Sequence, residues 1–269
     1  MPAKTPGDLW RSAVAADPAR PFVTAYDAAG GRVELSFATF DNWVAKTANM
    51  IVDGLAAEPG AKIALALPVH WQGFVWLIAS WTAGLNVIPA TVATLGEDDP
   101  DIVVTGPDGM DAALASGAEE VVATSLHPLG APLPTCPPSV LDYTVEVRGY
   151  GDRFVPGAPV DPDAAALSSY PGTYSGADLA ARAEDRFAKS ELTSTDRVAI
   201  ITDESEALAV LGSDLSDLLC PVAGGLPLVL SHERDSARLQ SQLRMERVTA
   251  YVGLEDRFFE IPSGIRHLP

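Results

Sequence analysis

From Ile63 to Leu95 the chain carries no Asp, Glu, Lys or Arg. An uncharged stretch of this length belongs in a protein interior or in lipid, because charged side chains are what mark solvent-facing surface. Pro68 and Pro89 interrupt it, and His70, Gln72 and Asn86 lie inside it, so it does not read as a membrane-spanning helix. It divides into a buried strand, Ile63-Ala-Leu-Ala-Leu67, a buried helix from Trp71 to Ala83, and a second strand from Asn86 to Ile88. Strand, helix, strand is a βαβ unit, which implies parallel strands and a right-handed crossover.

The same alternation extends along the chain. A short amphipathic helix over 6–16 stops at Asp17-Pro18, and Phe22–Tyr26 with Arg32–Leu35 reads as a hairpin around Asp27–Gly31. Ser36 caps a helix whose apolar positions, Phe37, Phe40, Val44, Ala48, Ile51 and Leu55, recur at helical spacing. Strand Lys62–Leu67 opens the uncharged stretch. After it come strand Ile102–Thr105, helix Met110–Ala115 and strand Glu120–Ala123. Five prolines between 128 and 138 make residues 125–140 extended and non-helical, and Leu141–Val147 reads as another strand. Gly149–Pro162 is a Gly/Pro/Asp-rich linker. Beyond it the order is strand 164–167, helix 176–188, strand Arg197–Thr202, helix Glu206–Cys220, strand Leu226–Leu230, helix Asp235–Met245, strand Val248–Val252 and a last short helix over Glu255–Glu260. The expected fold class is therefore α/β, with two αβ subdomains built on parallel-rich sheets. The expected division is 1–150, a linker over 151–163, and 164–269.

The chain has 269 residues, 47% of them hydrophobic, with 18 basic against 36 acidic side chains and a net charge of −18. Nucleic-acid binding needs Lys and Arg to displace counterions, and anionic membrane surfaces need the same, so neither partner is expected. Cys136 and Cys220 form no C-x-x-C or Cys/His pattern, so no zinc site is expected. The start, Met1-Pro-Ala-Lys-Thr-Pro, lacks the apolar core of a signal peptide, and a cytoplasmic location is expected.

One stretch has the layout of an anion site. Between the strand at 164–167 and the helix at 176–188 lie Ser168, Ser169, Gly172, Thr173, Ser175 and Gly176. A Gly/Ser/Thr loop running into a helix N-terminus presents backbone N–H groups and the positive end of the helix dipole to a phosphate. The loop has no Lys or Arg before Arg182 and does not fit G-x-x-x-x-G-K-[ST]. The alternative is an ordinary turn in which Ser175 caps the helix. Other candidates are weaker. His70 and Trp71 follow a strand end, where open α/β sheets bind ligands, but they also suit a buried helix start. His127, His232 and His267 read as surface residues, with no nucleophile pattern around them. Ser175 is not in a G-x-S-x-G elbow. Glu97–Asp101 reads as a solvated acidic loop, and Cys220 as a buried small apolar residue.

Several segments carry a resemblance to the adenylate-forming superfamily of acyl-CoA synthetases, luciferases and nonribosomal adenylation domains. Leu35-Ser-Phe-Ala-Thr-Phe40 resembles its tyr-x-x-leu helix start, and Pro59-Gly-Ala-Lys-Ile-Ala-Leu-Ala-Leu-Pro68 its GD-x-V strand. Leu77–Pro89 resembles its A-G-a-x-x-v-P segment. Thr195–Ile200, Leu218–Leu230 and Glu246–Tyr251 resemble later segments, all in the family's order. Within the superfamily the chain resembles a family of short actinobacterial proteins. The resemblance implies the N-terminal half of the fold. The adenine, Mg²⁺-carboxylate and ribose motifs are expected beyond residue 269, and the C-terminal domain with its catalytic lysine is expected to be missing.

The resemblance also puts Ser168–Gly176 in the slot of the family's phosphate loop, T-S-G-T-T-G-x-P-K-G, shortened and without its lysine. Thr202-Asp-Glu-Ser205 stands where the family has an aromatic or His motif of the acyl pocket, and has neither. Adenylation brings two anions together, so its site must supply positive charge, Mg²⁺ and oriented donors. A polar loop on an acidic chain offers no evident cation for this. The expectation is a pseudoenzyme that acts as a binding or scaffold module, with a protein partner or a second copy, and with no resident cofactor. The alternatives are a carboxylate-activating enzyme completed by a partner, or a sensor of ATP, AMP or CoA.

Overall fold

Consecutive side chains of the central strands enter different cores. Ile63 and Leu65 pack into the main core while Ala64 and Ala66 face a second. Val198 and Ile200 share the main core while Ala199 and Ile201 face a third. Strands buried on both faces belong to parallel sheets covered on both sides. The structure, a computed structural model, describes residues 5–27, 30–253 and 260–268. Ala28, Ala29 and all but the last residue of the expected helix Glu255–Glu260 lie outside them.

The helices are α1 (Pro6–Ala16), α2 (Phe37–Asn49), α3 (Trp71–Ala83), α4 (Met110–Ala115), α5 (Tyr143–Glu146), α6 (Gly176–Lys189), α7 (Ser216–Ala223) and α8 (Ser236–Met245). The strands are β1 (Pro21–Tyr26), β2 (Arg32–Ser36), β3 (Lys62–Ala66), β4 (Asn86–Pro89), β5 (Ile102–Thr105), β6 (Glu120–Ala123) and β7 (Leu141–Asp142), followed by β8 (Ala165–Ser169), β9 (Gly172–Ser175), β10 (Val198–Ile201), β11 (Leu228–Ser231), β12 (Ala250–Gly253) and β13 (Arg266–His267). One sheet has the order β7-β6-β5-β3-β4-β8-β9 and the other β13-β12-β10-β11-β1-β2. Every pairing is parallel except β8 with β9 and β1 with β2, each at a sheet edge. Helices α1, α2, α3, α6 and α7 fill the space between the sheets; α4 covers the outer face of the first sheet and α8 that of the second. The fold is α/β with parallel-rich sheets, as the alternation implies.

Helix α3 is buried at all 13 positions, which explains the absence of charge from Ile63 to Leu95. A helix that is apolar all round is a core helix. His70 caps it, its Nδ1 accepting the Gln72 N–H at 3.2 Å, and Gly84 ends it at φ 83, a left-handed conformation that suits glycine. Trp81 donates its indole N–H to the Ala166 carbonyl at 2.8 Å, which ties the helix to β8. No helix among the described residues is long and apolar enough to cross a membrane.

The sheets do not divide along the linker at 151–163. The β1–β2 hairpin leaves the N-terminal part of the chain and pairs with β11, Val23 opposite Leu228. The β8–β9 hairpin lies beyond the linker but extends the first sheet, Val87 opposite Leu167. Two local expectations also need correction. The strand expected over Leu141–Val147 ends at Asp142, which accepts the Thr144 N–H at 3.0 Å and starts α5. Tyr143 and Val147 reach zero exposure while Val145 between them is exposed, a pattern that fits a helix and not a strand. The helix expected over Glu206–Cys220 begins only at Ser216, because Gly212 (φ 96) and Leu215 (φ 53) turn the chain first.

An ion network around the buried Glu246 carboxyl holds β1, β2, β10 and α8 together. Glu246, at the end of α8, accepts from Arg32 Nε at 2.8 Å and Tyr26 OH at 2.6 Å, and pairs with Arg197 at 3.0 Å. Burial pushes the Glu246 carboxyl up, but the bonds from Arg32 and Tyr26 and the charge of Arg197 outweigh burial and leave it below its ordinary value. Such a group contributes stability above its unfolded pKa and loses it as pH falls through the folded one. Replacing Glu246 by Gln removes the buried charge that Arg32 and Arg197 share and leaves them the partly exposed Glu34 carboxylate, so urea unfolding at neutral pH should show a loss of about 2 kcal/mol. The variant's stability should also fall less steeply than the parent's below about pH 4.5.

Candidate functional site

The stretch with an anion-site layout is a hairpin running into a capped helix. Ser168 and Ser169 lie on β8, and Gly172, Thr173 and Ser175 on β9, with Ser168 opposite Thr173 and Ser169 opposite Gly172. Their side chains bond within the protein. Ser168 Oγ accepts from Asn86 Nδ2 at 3.0 Å and lies 3.3 Å from Thr173 Oγ1, and Ser169 Oγ donates to the Ser213 carbonyl at 2.5 Å. Arg182, the first arginine after this stretch in the chain, stacks on the Tyr174 ring at 5.0 Å and pairs with Asp214 at 3.6 Å.

The start of α6 has its donors in use. The Gly176 N–H bonds to the Ala164 carbonyl at 3.3 Å and the Ala177 N–H to the Pro162 carbonyl at 2.8 Å. The Asp178 N–H bonds to Ser175 Oγ at 3.1 Å, and Asp178 Oδ2 accepts in return from the Ser175 N–H and hydroxyl. This is a capping box. The hydrogen bonds from Ser175 hold the Asp178 carboxyl below its ordinary value, so the positive end of the helix dipole already faces an internal anion. A phosphate would have to break these bonds and then approach a carboxylate.

The larger opening lies elsewhere. In parallel sheets the carboxyl ends of all strands point one way, and ligands gather there. The ends of β3, β4 and β5 face the ends of β10 and β11 across a cleft of about 1010 Å³. Its base is closed by backbone bonds between the sheets, Val69 N–H to the Glu206 carbonyl at 2.9 Å and Leu208 N–H to the Leu67 carbonyl at 3.2 Å. Asp108, Asp203, Glu204, Glu206 and Glu233 line it, with Arg234 as the lone permanent cation among the described residues. Arg234 pairs with Asp203. Glu233 Oε1 accepts the N–H groups of Arg234 and Asp235, both at 2.9 Å. Thr105, also lining the cleft, is fully buried, and its Oγ1 has no hydrogen-bond partner among the described residues. None of Ser168, Ser169, Gly172, Thr173, Ser175 and Gly176 lines this cleft.

An adjoining pocket of about 340 Å³ meets the cleft at Pro68, Leu126, Glu204 and His232. His70 and Trp71 line it, while Trp76 and Trp81 are core residues. Burial, and secondarily His232, pushes the His70 imidazole down to about 3, so it is neutral at ordinary pH. His232 is half-buried in the cleft wall, its Nδ1 3.3 Å from Thr202 Oγ1, where a surface residue was expected. His127 and His267 are exposed. Cys220 is buried, its thiol pushed up to about 11 chiefly by burial. Asp101 of the acidic loop accepts the Lys62 N–H at 2.7 Å. No cluster of three or more His, Cys, Asp or Glu among the described residues could hold a metal ion. Thr105, His232 and the acidic lining were not singled out as binding residues by their local sequence. Their one signal is position at strand ends, and it becomes a site only when two sheets face each other.

No family model matches the chain. A TIGR03089 family protein from Mycobacterium tuberculosis is 37% identical over 257 residues, spanning 92% of this chain and 98% of that protein. Among solved structures, an acyl-CoA synthetase from Brucella canis superposes with a TM-score of 0.76 at 16% identity, over 94% of this chain and 48% of its own length. The N-terminal domain of FACL13 from Mycobacterium tuberculosis gives 0.71 at 14% identity, over 93% and 62%. The anthranilate CoA ligase AuaEII, solved in complex with anthranoyl-AMP, gives 0.76 at 12% identity, over 94% and 50%. The chain thus has the fold of the N-terminal part of these enzymes and spans about half the length of the full-length ones.

Two substitutions check this geometry. Ser175→Ala removes the cap and should lower stability by about 1 kcal/mol in urea unfolding. His70→Asn keeps a capping acceptor but cannot titrate. A histidine whose folded pKa is depressed costs stability as pH falls below its unfolded value, because only the unfolded chain takes up the proton. Between about pH 6 and pH 4 the parent should therefore lose about 1.4 kcal/mol more per pH unit than His70→Asn.

Proposed function

The chain belongs to the TIGR03089 family, and from that premise we propose that it is a binding module that keeps an adenylate-forming architecture without adenylating a substrate. The observation that carries this reading is the Ser175–Asp178 capping box. An adenylating site must hold a triphosphate and stabilise the charge that develops as pyrophosphate leaves. In the slot where the resemblance puts the phosphate loop, the first donors of α6 bond to Ala164, Pro162 and Ser175, and Arg182 is engaged by Tyr174 and Asp214. Loss of a single such donor costs on the order of a hundredfold or more in rate, and here several are committed together. The cleft at the strand ends is then the place for a ligand, because it is concave, has an apolar floor and carries convergent polar groups.

Carboxylate-dependent exchange between ATP and pyrophosphate tests the proposal. With a panel of aryl and fatty acids that includes anthranilate, exchange should stay at the protein-free background. Mg·ATP should leave the melting temperature unchanged, whereas a ligand at 100 times its Kd adds about 2.7 kcal/mol. Exchange above background with any acid would overturn the reading.

A further inference from the structure

We infer that the pocket beside the cleft takes an uncharged ligand, an apolar body whose carbonyl oxygen accepts a hydrogen bond from His70. The inference goes beyond the binding-module reading and stands whether or not the chain adenylates a substrate. It starts from the His70 tautomer. Nδ1 accepts the Gln72 N–H as the cap of α3, so the proton of the neutral ring sits on Nε2. Nε2 has no partner among the described residues and yet is not sealed off from solvent. His70 lines this pocket and not the larger cleft. A reachable N–H, held in place by the cap bond, thus opens on a cavity of about 340 Å³. A donor in such a wall calls for an acceptor.

The rest of the wall is apolar or already engaged. Val33, Val69, Trp71, Leu126 and Leu230 supply apolar surface. Tyr26 donates its hydroxyl to Glu246 at 2.6 Å, and Asp27 Oδ1 accepts the Gly31 N–H at 2.7 Å. The space exists because Ala25 is small. Val33 and Leu230 are its partners on the neighbouring strands and share its face, so a larger side chain at 25 fills the pocket.

The head group follows from charge. An ammonium has no acceptor to offer the His70 N–H. A carboxylate accepts, but it brings a further negative charge to a lining that holds Asp27 and Glu204. Burial keeps the imidazole neutral, so no positive charge offsets the carboxylate's loss of water. A carbonyl oxygen accepts the bond without either cost. The volume, at the small end of ligand sites, suits a phenylalkyl body.

Three probes of one shape test the inference on the full ¹⁵N-labelled chain: 4-phenylbutan-2-one, 3-phenylpropanoate, and butylbenzene, which has no acceptor. Spectra of the amides and of the histidine ring nitrogens follow each titration. The ketone should bind saturably and shift the Nε2 resonance of His70. It should bind about tenfold tighter than butylbenzene, which covers the N–H without pairing it, and tighter than the propanoate. His70→Asn keeps a capping acceptor and withdraws the ring N–H, so it should erase the preference of ketone over butylbenzene. Ala25→Leu should abolish binding of both, with its melting temperature showing that the chain is folded. Absence of saturable ketone binding, an Nε2 resonance that does not move, or butylbenzene or propanoate binding as tightly as the ketone would overturn the inference. So would a preference that survives in His70→Asn, or ketone affinity unchanged in Ala25→Leu. The first three outcomes are read on the parent protein and hold even where a variant does not fold.

Discussion

Helix α3 has no face for solvent, and the architecture follows from that constraint. A helix apolar on every side must be covered on every side, and here α1, α2 and strands β3 and β4 of the first sheet pack against it. Because α3 follows β3 directly, its burial brings the carboxyl end of β3 to the centre of the molecule. The backbone bonds from Leu67 and Val69 to residues 206–208 then join the two sheets at that point. The cleft is the space left above this junction, and its walls are the loops that follow the strands of both sheets.

Much of this was legible in the residues. The alternation of Ile63 and Leu65 with two alanines, the uncharged helix from Trp71 to Ala83, and the caps at Ser36 and Ser175 are local signals that tertiary structure leaves intact. Sheet membership was not legible, because the pairing of Val23 with Leu228 joins segments 205 positions apart and nothing within either strand encodes its partner. Leu215 turns the chain at positive φ without being glycine, so its sequence gives no sign of a helix start delayed to Ser216. The site was legible only in part. Ser168–Gly176 were rightly seen as polar and close to a helix start, but short Ser/Thr strands at a sheet edge look the same as a loop.

Two features of the site have one electrostatic logic. At α6 the protein supplies its own carboxylate, Asp178, to the helix dipole. At the cleft it sets carboxylates on the lining and pairs Arg234, the one arginine there among the described residues, with Asp203. The architecture is shared with acyl-CoA synthetases, and fold alone does not settle function.

The claim at the centre of this account is that the N-terminal turn of α6 is closed to phosphate by Ala164, Pro162 and Ser175. Amide spectra of the ¹⁵N-labelled protein titrated with Mg·ATP test it most directly. The account predicts that the resonances of Gly176, Ala177 and Asp178 stay where they are throughout the titration. Saturable shifts at those three amides would contradict it.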